Sequence, residues 1–152
     1  MSFKPTHIIV HHSASSADTK AVQIMGWHIQ RGFTDIGYHK IIEGNGTPVN
    51  GRPEKEQGAH NKHGGFNRIA LGICVTGNLE LNKIRPAQFD SLVRECAKWC
   101  ILFDIEPDAI LGHKETGAST LCPGKHLDMD KLRLDVANVI FADRGNKVEP
   151  KL

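Results

Sequence analysis

An uninterrupted apolar segment in the middle of the chain places the strongest constraint on its fold. Ile69–Thr76, with the sequence IALGICVT, has no charged residue and lies between Asn67 and Gly77, which are typical turn residues. Such a run predicts a β-strand buried on both faces, because a strand with one exposed face would alternate apolar and polar residues. A strand of this kind lies inside a sheet that is covered on both sides. The segment therefore favours an α/β fold.

Strand and helix patterns alternate along the rest of the chain. Short β-branched segments predict strands, and the Gly-Asn-Gly turn at Gly44–Gly46 predicts a hairpin. Apolar residues at helical spacing predict three helices, the first burying Val22, Met25 and Ile29. We thus expect one α/β domain over residues 1–144, a central mixed sheet flanked by helices, and a flexible tail over residues 145–152. The predicted strands are His7–Val10, Tyr38–Ile42, Pro48–Asn50, Ile69–Thr76 and Ala109–Gly112, and the predicted helices are Ala21–Arg31, Pro86–Phe103 and Asp130–Ala142.

The composition excludes several classes of protein. The 152 residues carry a net charge of +2, far from the basic footprint of a nucleic-acid-binding protein, and 39% of them are hydrophobic, which excludes a disordered tail. No apolar run approaches the ~18 residues of a membrane span, and the N-terminus has no signal-peptide core. We therefore expect a protein made in the cytosol, with no nucleic-acid partner and no membrane insertion. The sequence leaves the oligomeric state open, and a monomer is the default expectation.

Nine histidines are an unusual number and favour metal or proton chemistry. Three residues of metal-binding type follow predicted strands or lie in loops: His11 (or His12), His113 and Cys122. Two imidazoles and a thiolate would make a three-ligand zinc set whose fourth position stays open, as in catalytic zinc sites. The same residues also allow a Cys122–His113 nucleophilic pair, as in thiol hydrolases, or ordinary loop residues. Spacing alone leaves these interpretations open.

The remaining histidines and the tryptophans favour less specific interpretations. His39 follows Tyr38 on a predicted strand, so its side chain points the opposite way and is expected to be packed and hydrogen-bonded. The histidines predicted to lie on the surface are His28, His63 and His126, and the predicted core residues include Trp27, Trp99, Cys96 and Cys100.

Five segments of the chain together resemble a known family. The segments are IIVHHSAS, DIGYHKII, GAHNKHGGFNRIALGICVTGN, LGHKE and STLCPG. They follow one another in the same order as in zinc-dependent N-acetylmuramoyl-L-alanine amidases of the amidase-2/peptidoglycan-recognition superfamily, which the chain resembles. The resemblance runs from about residue 7 to about residue 140 and is greatest to the short lysozymes of T-odd phages. It implies one zinc ion (Zn2+) held by His11, His113 and Cys122. His12 would then be a neighbour that points the other way.

The resemblance also implies roles for four residues near the zinc. Tyr38 would lie beside the activated water and orient it or shuttle its proton. Thr120 would lie near the substrate carbonyl oxygen, where the phage lysozymes usually have a charged Lys rather than a neutral hydroxyl. His60 and Asn67 fall where the family contacts substrate, whereas the residues themselves equally allow a surface histidine and a turn residue.

The activity implied is hydrolysis of the amide between the muramic acid lactyl group and L-Ala of peptidoglycan, as in a phage or prophage endolysin. Without a signal peptide, an endolysin would stay in the host bacterial cytoplasm until its release to the cell wall. One alternative is a protein of the same fold that binds peptidoglycan or regulates a phage RNA polymerase without cutting. Another is a cytosolic muropeptide-recycling amidase, but those enzymes usually have Asp at the position of Cys122. The retained ligand set favours the endolysin.

Overall fold

The central apolar segment forms the middle of a five-stranded sheet. The computed structural model of the chain describes residues 2–147. Its strands are β1 His7–His12, β2 Lys40–Ile42, β3 Pro48–Asn50, β4 Ala70–Val75 and β5 Ile110–Gly112. They lie in the order β3-β2-β4-β1-β5, and all neighbours are parallel except β2 and β3, which form the predicted hairpin. The prediction of a mixed sheet is confirmed.

β4 is buried on both faces, as its apolar sequence predicted. All six of its residues are buried. Because side chains alternate along a strand, Leu71, Ile73 and Val75 contribute to the larger hydrophobic core, whereas Cys74 contributes to a smaller one on the opposite face. In the parallel pairing with β1, Cys74 is the partner of His11. His11 therefore lies on the face of the smaller core.

Two helices cover one face of the sheet and a third covers the other. The helices are α1 Ala21–Gln30, α2 Pro86–Phe103 and α3 Met129–Lys147. α2 has the predicted bounds, with its proline in the first turn, where the missing N–H costs no hydrogen bond. Leu92 of α2 and Leu132 of α3 belong to the larger core, and Ile24 of α1 packs in the smaller core with Cys74. This arrangement leaves the end of the sheet beside α1 free to form a cavity.

The buried face of α1 differs from the predicted one. Ala21, Ile24 and His28 are the buried residues, and the backbone N–H of Ala21 donates to Oε2 of Glu43 at 2.8 Å. That contact fixes the rotation of the helix where it begins. His28 also packs against the ring of Tyr38, so a polar neighbour, rather than the apolar periodicity, sets this face. The residues predicted to be buried but found partly or largely exposed are Val22, Met25, Trp27 and Ile29.

The last helix is longer than the sequence predicted. α3 extends to Lys147, so it includes the first residues of the segment predicted as a tail from residue 145. The remainder of that segment, residues 148–152, lies outside the described residues. The domain boundary at residue 144 stays a prediction. Within residues 2–147, no helix has the length and apolar character needed to cross a membrane.

Candidate metal centre

Two neighbouring strands bring three metal-binding side chains together at one end of the sheet. His11 lies near the carboxyl end of β1, and His113 follows directly after β5, which pairs in parallel with β1. Cys122 comes from the loop between β5 and α3. The ligand atoms that His11, His113 and Cys122 offer all lie within 4.8 Å of one another. The geometry thus brings together the three residues that the resemblance implied.

A chain of hydrogen bonds determines which nitrogen of His11 faces this group. Nε2 of His60 lies 3.0 Å from the carbonyl oxygen of Ala70, which can only accept, so Nε2 carries the proton. Burial lowers the pKa of His60 to about 3, so its Nδ1 is unprotonated and accepts from Nε2 of His11 at 3.0 Å. The lone pair of His11 Nδ1 is left free, 3.7 Å from the sulfur of Cys122. This tautomer suits metal ligation through Nδ1.

Gly72 of β4 makes room for the ring of His60. A Cβ atom at Gly72 would lie 2.6 Å from Cγ of His60, closer than side-chain atoms can approach. The ring therefore rests directly on the backbone of the central strand, behind His11. A glycine in the interior of a strand often marks such a close approach.

His60 and Asn67 hold neighbouring parts of the protein in place. Both line the cavity at the site, but His60 is only 9% exposed and both of its ring nitrogens are hydrogen-bonded. Oδ1 of Asn67 accepts from the backbone N–H groups of His60 and Asn61, at 2.8 and 2.7 Å. These atoms hold the loop and His11, and a role of His60 and Asn67 in substrate binding stays a prediction.

His12 lies beside the group without joining it. Its Nδ1 accepts from the backbone N–H of Leu79 at 3.0 Å, on the other side of the strand from His11. Its own backbone N–H donates to the sulfur of Cys122 at 3.3 Å. Of the two adjacent histidines that the sequence left open, the geometry selects His11.

The donor groups of the three residues suit a zinc ion. Burial, together with the neighbouring His60 and His113, lowers the pKa of His11 well below its usual value, and burial also lowers the pKa of His113, so both rings are neutral. Burial raises the pKa of the Cys122 thiol to about 11, so a metal ion would have to displace its proton. Two neutral imidazoles and one thiolate are ligands that zinc prefers, and three protein ligands leave a fourth position open.

Tyr38 stands in the wall of the same cavity, which has a volume of about 550 Å³. Its ring centroid lies 5.0 Å from that of His11. Burial, followed by the neighbouring thiols of Cys74 and Cys122, raises the pKa of the phenol well above its usual value. The hydroxyl therefore keeps its proton at neutral pH and can donate a hydrogen bond.

Thr120 lines the cavity next to Cys122. The backbone N–H of Cys122 donates to Oγ1 of Thr120 at 3.2 Å. This bond uses a lone pair of the hydroxyl and leaves its proton available. Thr120 can therefore donate to a carbonyl oxygen in the cavity.

The structure corrects one of the other histidine predictions and confirms the rest. His28, predicted to lie on the surface, is buried and lines the cavity, where its Nδ1 accepts from the backbone N–H of Gly37 at 2.8 Å. His39 is packed as predicted, with Nδ1 accepting from Gly72 at 2.9 Å and Nε2 donating to the carbonyl of Glu56 at 2.8 Å. The residues confirmed as exposed are His63 and His126, and those confirmed as core are Trp99, Cys96 and Cys100.

Sequence reasoning missed several residues of the cavity wall, among them Arg31, Asn61 and Lys62. Asn61 is 2% exposed, lines the cavity, and donates from Nδ2 to Oγ1 of Thr116 at 3.1 Å. Its position directly after His60 is the signal that could have singled it out, because His60 itself had been placed near the substrate. A single asparagine in a polar loop has no other sequence feature that would indicate a binding role.

The chain is similar to several known proteins. The sequence model of the family described as "N-acetylmuramoyl-L-alanine amidase" matches residues 2–125. The endolysins of Escherichia phage T7 and Enterobacteria phage T3 are 32% and 36% identical to the chain over 145 residues, in each case covering 91% of both proteins. The solved structure of the N-acetylmuramoyl-L-alanine amidase LysC from Clostridium intestinale is similar with a TM-score of 0.82 and 30% identity. That match covers 89% of this chain and 87% of LysC.

Proposed function

The chain belongs to the N-acetylmuramoyl-L-alanine amidase family, and we propose that it hydrolyses the lactyl–L-Ala amide of peptidoglycan with one zinc ion held by His11, His113 and Cys122. Amidase activity on peptidoglycan follows from the family and from the endolysin relatives. The observation that supports the zinc site is the grouping of the three ligand atoms within 4.8 Å at the cavity wall. When bound, zinc lowers the pKa of a water molecule and polarises a carbonyl group.

Tyr38 acts on the attacking water. Because its raised pKa keeps the phenol protonated, the hydroxyl donates a hydrogen bond and holds the water in line with the carbonyl carbon. The ring of Tyr38 packs between those of His11 and His28, with centroids at 5.0 and 5.3 Å, and this packing fixes its direction. The buried His28 is therefore a positioning residue for Tyr38.

Thr120 stabilises the negative charge that develops on the carbonyl oxygen. Its free hydroxyl proton is the donor, since Oγ1 already accepts from Cys122. The hydrogen bond is neutral, whereas the Lys usual in the phage lysozymes would supply a charge. The attacking water must lose a proton, and the leaving amine of L-Ala must gain one before it departs. Tyr38, in the cavity wall, passes its phenol proton to the amine and takes the proton of the water in exchange, so the phenol ends as it began.

We further propose that the chain is an endolysin, which stays in the host cytoplasm until it is released to the wall. The T7 and T3 relatives support this assignment. A protein that only binds peptidoglycan has no need of a complete ligand set with a phenol beside it, so the retained residues favour the enzyme. Control of a phage RNA polymerase stays a prediction from the resemblance. The monomeric state stays a default expectation.

Digestion of purified peptidoglycan tests the proposal. New L-Ala amino termini should form, disappear with a chelator and return with added zinc, while no new reducing sugar ends form. His113→Ala should be inactive, and His63→Ala, which changes an exposed histidine, should keep wild-type activity. Absence of both kinds of product in the presence of zinc would contradict the amidase and favour a binding protein.

A further inference from the structure

Asn61 carries a buried oxygen that no group of the protein satisfies. The residue is 2% exposed and lines the cavity next to His60. Among the side chains that the structure describes, its Oδ1 is the one buried nitrogen or oxygen without a hydrogen-bond partner. Buried acceptors are almost always paired, because an unpaired one gives up its bonds to water without replacement. Oδ1 of Asn61 is therefore an acceptor that a ligand in the cavity can use.

The orientation of the Asn61 amide is fixed by its neighbours. Oγ1 of Thr116 donates its only proton to the carbonyl oxygen of His113 at 2.7 Å. Toward Asn61, 3.1 Å away, the hydroxyl can therefore only accept, and the amide must present Nδ2 to it. Rotating the amide by 180° would place Oδ1 of Asn61 next to Oγ1 of Thr116, and both atoms would be acceptors. Oδ1 is therefore the atom left without a donor.

The segment that follows Asn61 can yield to an entering ligand. Residues 62–65 are all exposed, so little packing holds them in place. They include Gly64 and Gly65, with φ of +66° and +74°, values that other residues adopt less readily. A ligand that binds Oδ1 therefore requires a small shift of this segment.

The charges of the cavity indicate the class of ligand. Arg31 and Lys62 both line the cavity, and both are exposed. In the part of the chain that the structure describes, neither takes part in a salt bridge. No Asp or Glu lies among the cavity residues. The cavity thus has two cationic side chains without a salt-bridge partner and one acceptor without a hydrogen-bond donor. It suits a ligand that carries both carboxylates and N–H groups.

On the basis of the amidase function proposed above, we propose that Asn61, Arg31 and Lys62 form a subsite for an acidic peptide stem of the substrate. Oδ1 of Asn61 accepts a hydrogen bond from a peptide N–H, and the two cations face the carboxylates of the stem. The subsite makes the amidase selective for stems with free carboxylates over stems in which they are amidated.

Binding of the tripeptide L-Ala-D-Glu-L-Lys to the zinc-loaded protein tests the role of Asn61. Asn61→Ala should raise the Kd about tenfold, because it removes the acceptor. The matched control is Asn82→Ala, which removes an exposed asparagine away from the cavity, and it should raise the Kd no more than about twofold. An equal rise in both variants, or none in Asn61→Ala, would overturn the proposal.

The same titration with an amidated tripeptide tests the charges. Arg31→Gln and Lys62→Gln should each weaken binding of the free acid about fivefold and leave binding of the amidated peptide unchanged. Lys83→Gln, which removes an exposed cation away from the cavity, should change neither. Equal weakening for both peptides would contradict recognition of carboxylates.

These measurements are independent of turnover. The tripeptide contains no lactyl amide, so its binding is measured whether or not the protein hydrolyses peptidoglycan. Turnover without selective binding of the free acid would overturn the subsite alone. A wild-type protein that binds the free acid but fails the digestion experiment would contradict the amidase and leave the subsite standing.

Discussion

Nε2 of His11 donates to Nδ1 of His60 at 3.0 Å, and this bond leaves the other nitrogen of His11 free beside Cys122. The carbonyl oxygen of Ala70 fixes the tautomer of His60. His60 in turn fixes the tautomer of His11, the proposed zinc ligand. A hydrogen-bonded partner behind a metal-binding histidine orients the ring and raises its basicity.

The first prediction concerns that partner. His60→Ala should weaken zinc binding about 10- to 100-fold, because His11 loses the acceptor that fixes its tautomer. Competition with a chromophoric chelator measures the zinc affinity. His63→Ala is the control, since His63 is exposed and belongs to the same loop. Unchanged affinity in His60→Ala would mean that the bond does not orient the ligand.

Gly72 provides a second route to the same effect. Gly72→Ala would place a methyl group 2.6 Å from Cγ of His60, so the ring must move away from His11. We expect zinc affinity to fall as it does in His60→Ala, and stability to fall as well. The matched control is Gly26→Ala in α1, where a methyl group meets nothing within 4 Å. That substitution should stabilise the helix by about 1 kcal/mol and leave zinc affinity unchanged.

Removing the hydroxyl of Tyr38 separates catalysis from metal binding. Tyr38→Phe should lower kcat at least about 100-fold, because the water loses its donor, while one zinc ion per chain remains bound. Metal analysis and rates of release of L-Ala amino termini give the two quantities. Wild-type turnover in this variant would rule out the role of the phenol.

Much of this architecture could be predicted from the sequence, because local patterns determine it. The apolar run of β4, the Asn-Gly turn before β3 and the proline at the start of α2 are each decided within a few residues. The buried face of α1 could not be predicted, since it depends on a contact between Ala21 and Glu43. Its apolar pattern pointed to a different face.

The candidate site was predictable only in part, for a similar reason. His113 and Cys122 were found because they follow a strand or lie in a loop and because their segments resemble a family. The partnership of His60 with His11 joins residues 49 apart in the chain and depends on the space above Gly72. The orientation that leaves Oδ1 of Asn61 without a donor likewise depends on Thr116, 55 residues away. Such pairings arise from the packing of the sheet and leave no local pattern.

The buried histidines make the stability of the metal-free protein depend on pH. Burial holds the pKa of His60 near 3, below the 6.5 of an unfolded chain, so protonation favours unfolding. Stability is therefore complete above about pH 6.5 and decreases as the pH falls toward 3. Between pH 7 and pH 5, His60 alone accounts for about 2 kcal/mol of this loss. His39, whose pKa burial also lowers, adds to it in the same direction.

Denaturant unfolding in the presence of a chelator, at pH 7 and at pH 5, measures this dependence. His60→Gln should lose about 2 kcal/mol less than the wild type between the two pH values, whatever its stability at pH 7. His126→Gln, which changes an exposed histidine, should lose as much as the wild type. The carboxylates of Glu95 and Glu115 have lowered pKa values, so they contribute below this range. An unchanged loss in His60→Gln would mean that its ring is not held neutral in the folded state.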